Sequence, residues 1–172
     1  KLDNLSNAPI YIDDTPSLSI SDLSMKASRL VLEKDVKVIV INYLQLMTIE
    51  KSFESSRKEE VEAITRSLKN LAKELNIPII TLSQLSSTVE TRVGSKRPIL
   101  SDLSEYGEIE QNADIVCFMY RPEYYGFEEW DDEDGTPCEG QAELIVAKHR
   151  NGGLNNIRLK FSGHLGQFSD LD

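Results

Sequence analysis

Hydrophobic and polar positions follow two different periods along this chain, and each period predicts a different element. From Lys58 to Leu75 apolar residues recur at helical spacing with charged residues opposite them, which predicts an amphipathic helix. On either side of it, short and mainly apolar segments occupy 37–41 and 78–82, with the unbroken β-branched run Val38–Ile41 in the first. Such runs are typical of strands that are buried on both faces of a parallel sheet. This part of the chain is therefore predicted to be strand, helix, strand.

The same patterns predict further elements before and after this unit. They are a short strand at 10–12, a helix that begins near Ser19 and Asp22, a third buried strand at 115–120, a strand at 142–148, a hairpin turn at Asn151-Gly152-Gly153, a returning strand at 157–161 and a short final strand at 167–168. Residues 86–100 are predicted to be a long polar loop, and 123–140 a surface insertion around Trp130. The order of elements predicts an α/β fold, with a mostly parallel sheet flanked by helices and a C-terminal antiparallel hairpin.

Length and composition limit the class of protein. The chain has 172 residues, which predicts one domain with a substantial core. No apolar run is long enough to span a bilayer and the N-terminus is no signal peptide, so we expect a cytoplasmic protein. The two cysteines, Cys117 and Cys138, are expected to be reduced thiols, and no Cys/His cluster suggests zinc.

The charge balance is acidic overall but uneven. The formal net charge is −10 and the sequence pI is about 4.7, which alone argues against a protein that coats nucleic acid. Screening limits the reach of a charge to roughly 10 Å, so local clusters matter more than the total. One cluster is an acidic loop at 128–134, expected to be exposed. The other is basic and contains Arg92, Lys96 and Arg97.

Polar side chains follow three of the predicted buried strands. Asn42 follows the first, Gln84 follows the second, and the third ends near Tyr120-Arg121. The ends of parallel strands meet at one edge of a sheet, where ligands bind in open α/β folds, so we expect these three ends side by side. The alternatives are an ordinary turn residue for Asn42 and a capping or loop amide for Gln84.

The sequence lacks a phosphate-binding loop of its own. It contains no G-x-x-x-x-G-K-[ST] pattern, and no glycine occurs before Gly94. Backbone N–H groups close around phosphates only where glycines permit the turn. Any nucleotide site in this chain is therefore half a site.

Two cations stand at the end of the 142–148 strand. Lys148 and Arg150 are two residues apart, so their side chains are expected on the same face, with His149 pointing away. From that strand end, beside a glycine turn, they could reach a neighbouring subunit and neutralise charge on a phosphate. A solvated hairpin end is the alternative. His149 and His164 are interpreted as packing or surface residues rather than ligands.

Several segments together resemble the bacterial replicative helicase family, DnaB. They are Asn42-Tyr43-Leu44-Gln45-Leu46-Met47, the helix from Thr65 to Leu75, Leu82-Ser83-Gln84-Leu85, Lys96-Arg97-Pro98, Ser101-Asp102-Leu103, Gly107-x-Ile109-Glu110-Gln111-x-Ala113-Asp114 and Lys148-His149-Arg150-Asn151-Gly152. The resemblance covers nearly the whole chain in order. It implies the C-terminal part, 1–172, of a RecA-like motor domain that assembles as a hexameric ring around single-stranded DNA and uses ATP and Mg²⁺ to unwind duplex DNA at the replication fork.

The resemblance also implies roles for individual residues at the nucleotide. Asn42 falls where the family has its Walker B aspartate, which helps to bind Mg²⁺ through water; an amide keeps the shape but loses the charge. Gln84 matches the polar sensor that reports the γ-phosphate to the DNA-binding loops. Lys148 and Arg150 match cations that act across the subunit boundary on the γ-phosphate, as an arginine finger does.

For DNA, the resemblance implies two contact segments. Arg92, Lys96 and Arg97 lie in the loop that lines the central channel, where phosphate contacts are independent of sequence. Glu105 and Gly107 match a segment whose main-chain N–H groups bind the DNA backbone. This chain departs from the family pattern next to them, because Ser104 stands where arginine is usual.

The resemblance places the phosphate-binding lysine and threonine, the catalytic glutamate and the collar that meets primase upstream of residue 1. The fragment alone is therefore expected to be inactive, and primase and a helicase loader are expected partners of the intact protein only. A catalytically dead RecA-like module that assembles or binds partners is the alternative, favoured by Asn42 and the missing phosphate loop. Another RecA-like ATPase, such as a recombinase or clock-type protein, fits the motifs less well.

Overall fold

The chain forms two compact units, Lys1–Gln84 and Leu85–Asp172. The structure, a computed structural model, describes residues 8–49, 56–106, 109–131 and 135–171. Each unit has its own sheet, which is two-stranded in the first and four-stranded in the second. Within these ranges no helix has the length and apolar character needed to cross a membrane.

Two helices form the body of the first unit. Helix α1 (Ile20–Lys34) begins after Ser19, whose hydroxyl caps its first turn. Helix α2 (Arg57–Leu75) begins with a capping box between Ser56 and Glu59, which satisfies N–H groups that have no partner inside the helix. The apolar stripes of both helices are buried, and the helices contact one another. Both predicted helices are confirmed.

The two apolar runs form a parallel pair of short strands. Strand β1 (Ile39–Ile41) pairs with β2 (Ile79–Thr81) so that Val40 lies beside Ile80. These two side chains are 60% and 53% exposed, so the prediction that the strands are buried on both faces is wrong. Among the described residues of the first unit, helix α2 contacts β2 and so covers the other face of this two-stranded sheet.

The predicted strand at 10–12 is also wrong. Residues 10–12 have no strand partner among the described residues, and Ile10 and Ile12 are 61% and 88% exposed. A strand requires a neighbour for its backbone groups, and three apolar residues alone do not supply one.

The second unit contains the antiparallel sheet and several short helical segments. Its strands are β3 (Ile115–Tyr120), β4 (Gln141–His149), β5 (Asn155–Ser162) and β6 (Gln167–Asp170), hydrogen-bonded in that order. Its α-helical turns are α3 (Thr88–Thr91) and α4 (Ile109–Asn112), and 3₁₀ segments occupy Leu100–Tyr106 and Pro122–Tyr125. A further 3₁₀ turn, Leu44–Leu46, follows β1 in the first unit. The predicted C-terminal hairpin is confirmed.

Strand β3 pairs differently from the prediction. It lies antiparallel to β4 and belongs to the four-stranded sheet, so its hydrogen bonds do not align its end with those of β1 and β2. Its residues alternate between buried and exposed, with Ile115 and Met119 53% and 47% exposed. The expectation of a third strand buried on both faces is therefore wrong. Strands adjacent in sequence commonly pair antiparallel, and this chain follows that tendency.

The acidic insertion contributes to the core of the second unit. Trp130 and Cys138 are 4% and 0% exposed and pack with Phe118 and Tyr120 of β3. Two backbone hydrogen bonds, Trp130 N–H to Thr136 O at 2.9 Å and Cys138 N–H to Glu128 O at 3.0 Å, fold the insertion back on itself. The charged residues Glu128, Glu129 and Asp131 are exposed as predicted, but the surface placement of Trp130 is wrong. Residues 132–134 of the predicted acidic loop lie outside the described residues.

Candidate functional site

The ends of β1 and β2 place Asn42 and Gln84 at one sheet edge. Parallel pairing continues past the strands, because Leu82 N–H donates to Ile41 O at 2.9 Å and Leu44 N–H donates to Leu82 O at 2.8 Å. Both Asn42 and Gln84 are exposed. Neither side-chain amide bonds to any residue that the structure describes, so each is available to a ligand.

Gln45 was not given a role from the sequence, yet its side chain joins the two strand ends. Its Oε1 accepts from the Gln84 N–H at 3.3 Å, and its Nε2 donates to Ser83 Oγ at 2.9 Å and to Gln84 O at 3.4 Å. The two glutamines are 39 positions apart. No local sequence pattern shows this contact, because it depends on the 3₁₀ turn that follows β1.

A magnesium site was predicted at Asn42. Mg²⁺ is bound in proteins mainly by carboxylates and phosphates, whereas Asn42 offers one neutral amide oxygen. No group of three or more His, Cys, Asp or Glu able to hold a metal occurs among the described residues. These residues therefore do not by themselves form a site for this ion.

In the second unit, the predicted DNA-binding cations are bonded inside the unit. Arg92 forms an ion pair with Asp102, and its Nη1 donates to Arg97 O at 3.1 Å. The ammonium of Lys96 donates to the carbonyls of Arg92 and, at 2.8 Å, Glu90. All three basic side chains are half-buried. The basic loop, residues 92–97, is thus held in place by its own charges.

Arg97, like Arg92, pairs with a buried carboxylate. It pairs with Glu143 of β4, whose side chain is 5% exposed, and lies 3.5 Å from Asp131. Burial raises the pKa of Glu143, and the neighbouring Arg97 charge counteracts that rise. Arg97 also lies 5.7 Å over the ring of Tyr120, where burial and, next, the Asp131 charge raise the pKa of the phenol to about 12. Arg97 therefore stabilises a buried carboxylate in the structure.

Lys148 and Arg150 converge on α4. Lys148 donates to the Glu110 carbonyl and, at 3.4 Å, to that of Gln111. Arg150 donates to the same Gln111 carbonyl at 3.1 Å and forms an ion pair with Asp114 at 3.1 Å. The two cations lie on one side as expected, although Arg150 falls just beyond the end of β4. Their present partners belong to the same unit.

The glycine turn beside Arg150 lies close to the ring of His149. A Cβ built on Gly152 would lie 2.3 Å from Cε1 of His149, whereas one on Gly153 would meet nothing within 4 Å. The imidazole thus packs against the turn, in agreement with the interpretation of His149 as a packing residue.

The second predicted DNA segment is described only in part. The backbone of Glu105 belongs to the 3₁₀ segment Leu100–Tyr106. Gly107 lies outside the described residues. Their proposed contact with the DNA backbone stays a prediction.

Comparison with known proteins identifies the family. The model of the DnaB-like helicase C terminal domain matches residues 1–170. A probable replicative DNA helicase of Trieres chinensis is 48% identical over 97% of this chain and 36% of its own length. The replicative DNA helicase DnaB of Geobacillus stearothermophilus is 46% identical over 98% of this chain and 36% of its own length.

Solved structures give the same result. A DnaB-like replicative helicase, described together with its interactions with primase, matches 99% of this chain and 39% of its own chain, at 36% identity and a TM-score of 0.84. A second structure, an ATPase domain, matches 99% of this chain and 58% of its own, at 35% identity and the same TM-score of 0.84.

These matches define the class, a RecA-like ATPase fold of the helicase type. The chain belongs to the DnaB-like helicase C terminal domain family. The resemblance and the fold class predicted from the sequence are confirmed. The chain spans 36% of the length of these two curated relatives.

Proposed function

We propose that this chain is the C-terminal part of the motor domain of a replicative DNA helicase, which translocates on single-stranded DNA and unwinds duplex DNA with ATP. The observation that carries the proposal is the family match across residues 1–170. The intact protein acts as a homohexamer, with primase and a loader as partners through segments outside this chain.

In this proposal, the edge formed by β1 and β2 meets the phosphates of ATP. The amides of Asn42 and Gln84 are exposed at that edge and bond to none of the described residues. Gln84 would contact the γ-phosphate or the attacking water, and Asn42 would lie towards the Mg²⁺ ion that arrives with the nucleotide. Because no phosphate-binding loop occurs in the chain, the remaining contacts to ATP come from another part of the intact polypeptide.

Lys148 and Arg150 complete the nucleotide site of the adjacent subunit in the ring. A fixed positive charge stabilises the charge that develops on the transferred γ-phosphoryl group, and arginine keeps its proton at any working pH. Both cations now donate to carbonyls next to α4. Engagement of a neighbouring phosphate would exchange these bonds for stronger ones to an anion.

Single-stranded DNA binds to the basic loop and to the segment that contains Glu105 and Gly107. Arg92, Lys96 and Arg97 are held internally, so DNA phosphates must compete with Asp102, Asp131 and Glu143 for them. Such binding is independent of sequence and weakens with salt.

A catalytically inert assembly module is the second candidate. The observation that favours it is Asn42, because an amide at this position lacks the charge that favours a metal ion.

One substitution separates the two candidates. In the intact protein, Asn42→Asp restores a carboxylate at the end of β1 and should raise Mg²⁺-dependent ATP hydrolysis about tenfold to a hundredfold, as expected of a group that acts on a metal through water. Asn70→Asp on the exposed surface of α2 makes the same chemical change elsewhere and serves as the control. Hydrolysis that is absent from the intact protein both with and without Asn42→Asp would support the inert module instead.

A further inference from the structure

Besides the backbone hydrogen bonds, the side chain of Gln45 joins the segment after β1 to the segment after β2. Gln45 lies in the middle of the 3₁₀ turn Leu44–Leu46 and is half-buried. Its amide makes three hydrogen bonds, all to Ser83 and Gln84. Among the described residues of the first unit, Gln45 bonds both the N–H and the carbonyl of Gln84, whereas Ser83 Oγ donates only to the carbonyl, at 3.3 Å.

The Gln45 amide imitates a neighbouring strand. A backbone residue in a sheet offers one acceptor and one donor to its partner. Here Oε1 accepts from the Gln84 N–H at 3.3 Å and Nε2 donates to the Gln84 carbonyl at 3.4 Å. The backbone of Gln84 is thereby fixed just beyond the point where β2 ends at Thr81. Its side-chain amide remains available to a ligand.

Gln45 is itself held by a charged pair. The Nη2 of Arg57 donates to Gln45 O at 2.8 Å and to Met47 O at 3.2 Å. Arg57 also pairs with Glu60 at 2.8 Å, and Glu60 is 8% exposed. The first turn of α2 is therefore linked through Arg57 and Gln45 to the end of β2.

We propose that Gln45 is a positioning residue for ATP hydrolysis, which holds Gln84 in the orientation that meets the γ-phosphate. The inference rests on the proposed function. A reacting group must be held within about half an ångström of its productive position, and small displacements reduce the rate strongly. The amide of Gln45 supplies both the donor and the acceptor that this contact uses, on two separate atoms.

The test uses two substitutions in the intact protein. Gln45→Leu removes both hydrogen-bonding groups at similar size, and Gln45→Glu keeps the acceptor for the Gln84 N–H but loses the donor. Gln45→Leu should lower kcat about tenfold while KM for ATP changes less than about twofold, because binding is shared with other groups. Gln45→Glu should fall between Gln45→Leu and the unchanged protein. Gln167→Leu on exposed β6 is the control and should leave both constants unchanged.

A double substitution and a readout other than activity complete the test. Combining Gln45→Leu with Gln84→Ala should cost no more than Gln84→Ala alone, because Gln45 acts only through Gln84. Hydrogen exchange at the Gln84 amide should become about tenfold faster in Gln45→Leu, as expected when one hydrogen bond is lost. If Gln45→Leu weakens folding, the same measurement is made on Gln45→Glu. That variant keeps the acceptor, so the Gln84 N–H should stay protected.

The possible failures are distinct. If the Gln45→Leu variant of the intact protein hydrolyses ATP normally and hydrogen exchange at Gln84 is unchanged, the positioning role is overturned. The proposed function is then unaffected. Fully additive effects of the two substitutions also overturn it. An intact protein with no hydrolysis, even with Asn42→Asp, contradicts the proposed function and the positioning role together.

Discussion

The two units carry their candidate functional groups in opposite ways. In the first unit Asn42 and Gln84 are neutral, exposed and unbonded to the described residues, while the backbone beneath Gln84 is fixed by Gln45. In the second unit the cations Arg92, Lys96, Arg97, Lys148 and Arg150 are all bonded within the unit. An unbonded amide at the surface costs little because water solvates it, whereas the half-buried cations Arg92, Lys96, Arg97 and Lys148 need partners; Arg150 is exposed.

This difference shows what ligand binding demands of each unit. A nucleotide can reach the amides of the first unit by displacing water. A phosphate can reach the cations of the second unit only by replacing carboxylates and carbonyls, so binding there depends on the strength of the existing bonds. Substitutions at the cations should accordingly separate those needed for stability from those needed for function.

The largest effect is expected from Arg150→Ala in the intact ring. Loss of a trans-acting arginine should lower kcat at least about a thousandfold, whereas ring assembly should persist because the ion pair with Asp114 is exposed and contributes little. ATP turnover and sedimentation of the ring measure the two properties. Arg66→Ala, which removes an exposed arginine from α2, is the matched control. Hydrolysis at the unsubstituted level would remove Arg150 from the mechanism.

Arg97→Ala should have the largest effect on stability. Removing the guanidinium takes away the more influential of the two positive charges beside the buried Glu143, the other being Arg158, which should lower the free energy of unfolding by about 3 kcal/mol. The fluorescence of Trp130 reports this unit, since the chain contains a single tryptophan that is buried there.

The loss should depend on pH. The pKa of Glu143 is already raised by burial, and without Arg97 it rises further above the unfolded value. The protonated carboxyl is tolerated in the core, so the destabilisation should be smaller at pH 5 than at pH 8. Adding Glu143→Gln should remove this dependence. Equal losses at both pH values would mean that Arg97 does not serve as the counter-charge.

A smaller effect is expected from Asp131→Asn. Asp131 accepts from Ser95 Oγ at 2.7 Å and lies 3.5 Å from Arg97, so its removal should free the basic loop. The affinity for single-stranded DNA should rise about two- to fivefold at low salt, as an exposed ion pair is worth at most about 1 kcal/mol. Glu128→Gln is the control. It removes a negative charge from the same insertion, at a residue whose side chain has no described bond to the basic loop. An equal gain in both variants would indicate a long-range charge effect rather than competition.

Local patterns predicted the elements more successfully than their pairing. Helix α2 was predicted to within one residue of its start, because its apolar spacing and capping residues are local signals. The adjacency of Asn42 and Gln84 followed from the parallel pairing of their strands. The partner of β3, by contrast, is not encoded in its own apolar residues, because the same apolar run can pair with a parallel or an antiparallel strand.

The sequence predicted the residues of the candidate site better than the contacts between them, for the same reason. The contact between Gln45 and Gln84 joins residues far apart in sequence, and no periodic pattern reports it. The internal partners of the basic loop were missed because Asp102 and Glu143 lie on separate elements and each looks like an ordinary acidic residue. Trp130 was placed on the surface because its charged neighbours dominate the local composition.

In the proposed function, this chain contributes part of an ATP-driven motor whose phosphate-binding loop lies elsewhere in the intact protein. The most direct test compares Mg²⁺-dependent ATP hydrolysis by the purified 172-residue chain with that of the intact protein. We expect no turnover above background for the chain, with or without Asn42→Asp, and measurable turnover for the intact protein. Turnover by the chain alone, which has no glycine loop to hold the phosphates, would contradict it.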